Sequence, residues 1–317
     1  GVGEFLTDTW LPTKRRHVRA STSYRYTWMV DNYINPAIGH VPLRRLRADH
    51  LDGLYDQLAT TGGRHGTGLA PKTVHEVHVI VRSSLDLAMR RQLVDANVAH
   101  ATNARHKRPT RKIPRAWSAE ELATFLPAAR PQRLYPALHL TAYTGMRRGE
   151  VGGLKWSDLD RANQRLSISR TIQSIAGQPV EFPVKTRTSR RCIDIDDETM
   201  DILGRWRRRL TRDGLPHDAD DWMFVNPTGR FVNPESISQL FHRIQRGLPE
   251  LTRIRFHDLR HTHASLMIMD GVPVKVVSER LGHANVAFTM HTYQHLLPGM
   301  SAAAADRFAA MIATAGR

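Results

Sequence analysis

Apolar residues recur at helical spacing along most of this chain, and turn-forming residues cut the pattern into segments. Ser21 to Ile34 forms one predicted helix, which Asn35-Pro36 and Gly39 break. Asp49 to Leu58 forms a second, ended by Thr60-Thr61-Gly62-Gly63. A third runs from about Pro71 to Leu93. Proline suits its first turn, and Val74, Val77, Val81, Leu85 and Ala88 fall on one face. Residues 1–102 therefore read as a small helical bundle.

The pattern then changes. Residues 103–116 carry Arg105, Lys107, Arg108, Arg111, Lys112 and Arg115 among two prolines, an extended basic linker. Such a stretch is either a solvated tether or a strap lying along phosphates, which needs extended backbone and dense positive charge. A second domain, residues 117–317, begins at Trp117. Ser118-Ala119-Glu120-Glu121 has the form of a capping box at a helix start. Helical segments reach Leu154. Partial alternation at Leu166, Ile168 and Thr171-Ile172, and again over Cys192 to Ile195, predicts strands. From Glu198 onward the pattern is again helical, ending in the Ala-rich stretch Ser301 to Ala310. The predicted class is mainly α with a small antiparallel β-sheet.

Charge narrows the function. Lys+Arg number 46 against Asp+Glu 30, a net +16. A globular chain this basic meets a polyanion, and nucleic acid comes first. An anionic membrane surface is the alternative, but no basic amphipathic helix or lipidation signal supports it. No run of about 18 apolar residues is present to span a membrane. The single cysteine, Cys192, fits a reducing compartment, and the expected location is the cytoplasm, nucleoid-associated when bound.

Four clusters carry chemistry. Thr144-Gly145-Met146-Arg147-Arg148-Gly149-Glu150 places a guanidinium after a glycine break. Its planar fork suits two phosphate oxygens, and Glu150, three residues on, can orient it; alone, the same residues read as a basic surface turn. His257-Asp258-Leu259-Arg260-His261 spaces His257 and Arg260 to share a helical face. His257 and His261 also have zinc-ligand spacing, but Asp258 stands where the metalloprotease pattern needs Glu. Leu281-Gly282-His283 reads as a C-cap followed by an aimed or merely structural histidine. Thr289 to His295 contains Tyr293; the other six tyrosines read as packing or surface residues.

Their order is decisive. Thr-Gly-x-Arg-x-x-Glu, then Lys185, then His-x-x-Arg, then Leu-Gly-His, then Tyr resembles the tyrosine-recombinase (phage-integrase) family. Ser21-Thr22-Ser23-Tyr24, Ile38-Gly39 and Pro71-Lys72-Thr73 are similar to that family's helical core-binding domain, and residues 117–317 to its mixed α/β catalytic domain. The resemblance implies roles. Arg147 and Arg260 would clamp the scissile phosphate, and Tyr293 would be the nucleophile. His257 would match the first histidine of the second box, Lys185 the lysine of a β-hairpin, and His283 a position filled by His or Trp. Glu150 would be a supporting acid. It implies DNA cleavage and rejoining through a 3′-phosphotyrosyl bond, with no cofactor and no metal. Its implied partners are double-stranded core or attachment sites and three further copies in a tetramer, with the C-terminal helix docked between protomers. The domains would close around the duplex as a C-shaped clamp. It leaves room for an accessory directionality or DNA-bending protein. A type IB topoisomerase, or a catalytically silent DNA-binding regulator on the same fold, is the alternative.

Overall fold

In a computed structural model of the protein, the described residues are 1–63, 66–102, 115–184, 190–293 and 300–315. They divide into two compact units, Gly1–Lys112 and Ile113–Arg317, each with its own core. The mainly helical class is observed.

The first unit is all helical. It opens with α1 (Val2–Glu4), a π-helical turn over Phe5–Trp10 and α2 (Leu11–Arg15), a segment that helical periodicity did not predict. α3 (Ala20–Met29), a π turn (Val30–Ile34) and α4 (Asn35–Ile38) follow as one continuous rod. The expected break at Asn35-Pro36 is therefore absent. The Asn35 N–H reaches back to Val30 O in a π-type bond, and the widened turn accommodates Pro36 in the first turn of α4. The rod ends at Gly39. α5 (Ala48–Thr60) and α6 (Pro71–Arg90) complete the bundle, and the predicted stripe Val74, Val77, Val81, Leu85 and Ala88 is buried against Trp10, Ile34, Leu51 and Tyr55.

The second unit starts with α7 (Ala119–Ala129), whose capping box is formed: Ser118 Oγ accepts from Glu121 N at 3.2 Å, and Glu121 Oε2 accepts from Ser118 N at 2.9 Å. Glu121 also accepts from Thr252 N, tying the helix start to the approach of a later helix. α8 (Tyr135–Thr144) is buried on nearly all sides and runs through the core; α9 (Arg148–Gly152) follows. The strands form two sheets rather than one. β1 (Leu159–Asp160), β2 (Arg165–Ile168) and β5 (Arg191–Asp194) pair antiparallel, with Leu166 opposite Ile193 and Ile168 opposite Arg191. β3 (Arg170–Ile175) and β4 (Gln178–Pro183) make a separate hairpin.

α10 (Asp197–Arg212), α11 (Pro234–Arg246), α12 (Asp258–Met269), α13 (Val274–Leu281), α14 (Val286–Tyr293) and α15 (Met300–Ala315) complete the chain. α12 packs on α8 and α13, and α13 on α14 and β5, which gathers the motif-bearing ends of four elements. Phe308, Met311 and Ile312 of α15, spaced i, i+3, i+4, are exposed. No described helix is long and apolar enough to cross a membrane.

Ser118→Ala removes one side of the α7 capping box. It is expected to lower unfolding free energy by about 1 kcal/mol, read from the midpoint of a urea denaturation curve with an unchanged slope.

Candidate active site

The site grows from two left-handed glycines. α8 ends at Gly145 (φ +63°) and α13 at Gly282 (φ +67°). Both are C-terminal caps that only glycine adopts cheaply, and both positions are also crowded. A Cβ at Gly145 would lie 2.6 Å from Leu281 Cδ2, and one at Gly282 would lie 2.9 Å from Arg191 Nη1. The two glycines thus let the helix ends approach one another.

Arg260 bridges these ends. It is 3% exposed, and it donates from Nη1 to Gly145 O at 2.8 Å and from Nη2 to Leu281 O at 2.7 Å. Carbonyls at two helix C-termini carry partial negative charge, which favours a buried cation. Burial, and then the neighbouring charge of Arg147, weakens its hold on the proton, down to about 9, so it stays charged at neutral pH. Two of the five N–H donors of the guanidinium are spent on this bridge.

Arg147 is the N-cap residue of α9, not a residue within the helix. Its backbone N–H donates to Glu150 Oε2 at 2.8 Å, and its Nη1 to Glu150 Oε1 at 2.7 Å. Glu150 is 3% exposed and also receives Arg191, with Nη2 at 3.0 Å from Oε2 and Nη1 at 3.2 Å from Oε1. Burial pushes the Glu150 carboxyl up, but the hydrogen bonds and charge of Arg191 and the charge of Arg147 outweigh it and hold it at about 2. Arg191 comes from the end of β5, and its Nε donates to Arg280 O at 2.7 Å. The sequence motifs do not single out Arg191. Arg148 points elsewhere, to Glu235 at 2.6 Å and Ser238 at 3.1 Å on α11.

The histidines ring this cluster. His257 is the N-cap of α12 rather than part of the helix, and its ring lies edge-on to His261 with centroids 5.6 Å apart. Desolvation by the protein wall, then the charge of Arg260, lowers the pKa of His257. His283, aimed by Gly282, bonds through Nδ1 to Thr289 Oγ1 at 2.7 Å. Burial and the charges of Arg260 and Arg147 push it down to about 3, so it is neutral. Tyr293, the last residue of α14, is 2% exposed among Ala264, Ile268, Val277 and Leu281. Its hydroxyl lies 2.6 Å from His261 Nδ1. Burial pushes the phenol up to about 12, opposed by Arg260.

The structure therefore brings together Arg147, Glu150, His257, Arg260, His283 and Tyr293. Lys185 lies outside the described residues, as do Arg105, Lys107, Arg108, Arg111 and Lys112. Arg115, the described member of the basic stretch, donates to Arg253 O at 3.4 Å within its own unit. Among the described residues, no group of three or more His, Cys, Asp or Glu side chains is placed to hold a metal ion.

The arrangement is a net-positive cluster, three guanidinium groups around one carboxylate, beside a phenol. An approaching phosphodiester would relieve the mutual repulsion of these charges. The Glu150 carboxyl sits far below its ordinary value near 4.5. Its stabilisation is therefore fully present above that ordinary value and is lost as pH falls towards 2. Its size is on the order of 3 kcal/mol. Glu150→Gln should be less stable than the parent at neutral pH and should show a shallower loss of stability between roughly pH 5 and pH 2, measured by urea unfolding across that range.

The chain is similar to known proteins in both sequence and fold. The family model described as Phage integrase family matches residues 116–299, more than half of the chain, and the model for the phage integrase N-terminal SAM-like domain matches residues 4–59. The ICEBs1 integrase of Bacillus subtilis (strain 168) is 28% identical, over 76% of this chain and 66% of its own length. A XerC-like tyrosine recombinase of Caldanaerobacter subterraneus subsp. tengcongensis is 26% identical, over 92% of this chain and 79% of its own length. In fold, the chain matches the Tn1549 transposon integrase solved in complex with a circular intermediate DNA, with a TM-score of 0.76 at 16% identity, covering 92% of this chain and 94% of that one. It also matches lambda integrase from a tetramer bound to a Holliday junction, with a TM-score of 0.64 at 18% identity, covering 91% and 76%. The chain belongs to the phage integrase family, the tyrosine-type site-specific recombinases.

Proposed function

We propose that this protein integrates and excises a mobile DNA element by cutting and rejoining duplex core sites, with Tyr293 as the nucleophile. The observation that carries the reading is the Tyr293 hydroxyl held 2.6 Å from His261 Nδ1, on the same turn of α12 as the buried, doubly anchored guanidinium of Arg260. The phenolic oxygen attacks the scissile phosphorus and forms a 3′-phosphotyrosyl bond while the 5′-oxygen leaves. The bond stores the free energy of the broken phosphodiester, so rejoining needs no nucleotide cofactor.

The transition state carries added negative charge on the non-bridging oxygens. Arg147 and Arg260 receive that charge, and because other protein groups already fix them, little reorganisation accompanies the reaction. Glu150 orients Arg147 without quenching the cluster, since Arg191 shares the carboxylate. The neutral His283 ring contributes a hydrogen bond to a phosphate oxygen. His257, at the start of α12 within the field of Arg260 and Arg147, contributes a further contact to the phosphate, and Lys185 protonates the leaving 5′-oxygen.

The net +16 charge and the basic stretch from Arg105 to Arg115 supply contacts to the DNA backbone. Four active sites are needed to exchange both strands of two duplexes, so the working assembly is a tetramer on DNA. The exposed stripe Phe308, Met311 and Ile312 on α15 is the surface that docks on a neighbouring protomer. Lambda integrase has been solved as a tetramer bound to a Holliday junction.

Tyr293→Phe should bind core-site DNA with the parent affinity and form no covalent adduct on a nicked suicide substrate in a denaturing gel. An adduct at parent level would move the nucleophile elsewhere. Lys185→Ala should lose cleavage of ordinary DNA by roughly 100-fold or more. It should recover on DNA carrying sulfur at the leaving position, because a thiolate departs without a proton.

A further inference from the structure

His257, the histidine that the family pattern singles out, is not the group that touches the phenol. The contact belongs to His261, one residue past Arg260, whose Nδ1 lies 2.6 Å from the Tyr293 hydroxyl. The two rings are tilted by 53° with centroids 5.8 Å apart, so the contact is an in-line hydrogen bond rather than ring stacking. We propose that His261 is a catalytic residue: its Nδ1 takes the phenolic proton as the Tyr293 oxygen attacks DNA, and returns it when the strand is rejoined.

Three features of the structure support this. First, the geometry is already that of a proton transfer, at the short end of the hydrogen-bond range. Second, His261 shares α12 with Arg260, so the group that receives the proton and the group that receives the developing phosphate charge are fixed to one rigid element. Third, burial, then the neighbouring His257 and Arg260, push His261 down to about 4, against the opposing charge of Asp258. The ring is therefore neutral before reaction and has a lone pair to offer, while the same burial makes it a weaker base than a free imidazole. A bound phosphodiester adds a negative charge beside these cations. It offsets the repulsion from Arg260 and raises the proton affinity of the ring when the phenol must release its proton.

The step balances. The phenolic O–H bond breaks and its proton moves to Nδ1 of the tautomer protonated at Nε2. The tyrosine O–P bond forms and the P–O5′ bond breaks, and the 5′-oxygen takes a separate proton from the general acid. DNA must uncover one side of the Tyr293 oxygen while the other side keeps its bond to His261. His257 is exposed and edge-on to His261.

The inference rests on Tyr293 being the nucleophile, and the test separates the two. Single-turnover adduct formation on a nicked core-site substrate is measured at saturating DNA for the full chain. His261→Phe should slow it about 100-fold with DNA affinity unchanged. His261→Gln, which keeps a hydrogen-bond acceptor and a polar shape, should fall between the two. Replacing Tyr293 by difluorotyrosine, a more acidic phenol, should recover about 10-fold of the loss in His261→Phe, because a phenol that ionises more readily needs its proton acceptor less. Adduct formation that is unchanged or faster in both His261 variants overturns the proposal and makes the contact a latch. A loss that the acidic phenol does not recover also overturns it and leaves His261 structural; if His261→Phe does not fold, the same comparison is made on His261→Gln. Failure of the underlying reading is a different result, namely an adduct in Tyr293→Phe.

Discussion

The buried carboxylate of Glu150 is the constraint on which the site depends. Three guanidinium groups within one small volume repel one another, and in a half-desolvated site that repulsion is not screened away. One carboxylate held between Arg147 and Arg191 offsets part of it, and Arg260 is held instead by carbonyls at two helix ends. The result is a positive cluster that is stable enough to fold and still short of anions. A phosphodiester supplies what is missing, so the same imbalance that limits the stability of the fold provides affinity for the substrate and for its transition state.

Much of the fold was legible from local pattern. The valine stripe on α6 and the capping box at Ser118 are decided by residues three or four apart, and both form as expected. Where the period was not 3.6, the pattern misled. Phe5 and Trp10, and Leu6 and Leu11, are buried at a spacing of five, which suits the π turn there, and Leu11 departs from the i, i+3, i+4, i+8 stripe of Val2, Phe5, Leu6 and Trp10. The same widened geometry at Val30–Ile34 carries the chain through Pro36. β4 escaped notice because its two prolines and mixed burial give no alternation.

The site divides along the same line. Arg147 with Glu150 was readable because the two lie three residues apart at one helix start, and His283 because a glycine in front of it aims the chain. Arg191 was not, since its contact with Glu150 depends on the pairing of β5 with β2 and on where α9 packs, both long-range outcomes. The pairing of His261 with Tyr293 joins residues on separate helices, and no spacing in the sequence encodes it.

Arg260 carries a second burden. Its fork is the strut that ties the end of α8 to the end of α13, so removing its charge also unfastens two helices from each other. A lysine at this position keeps the charge but has a single nitrogen with which to reach two carbonyls on different elements. Loss of activity at residue 260 therefore measures architecture and chemistry together, and substitution at that one position cannot separate them.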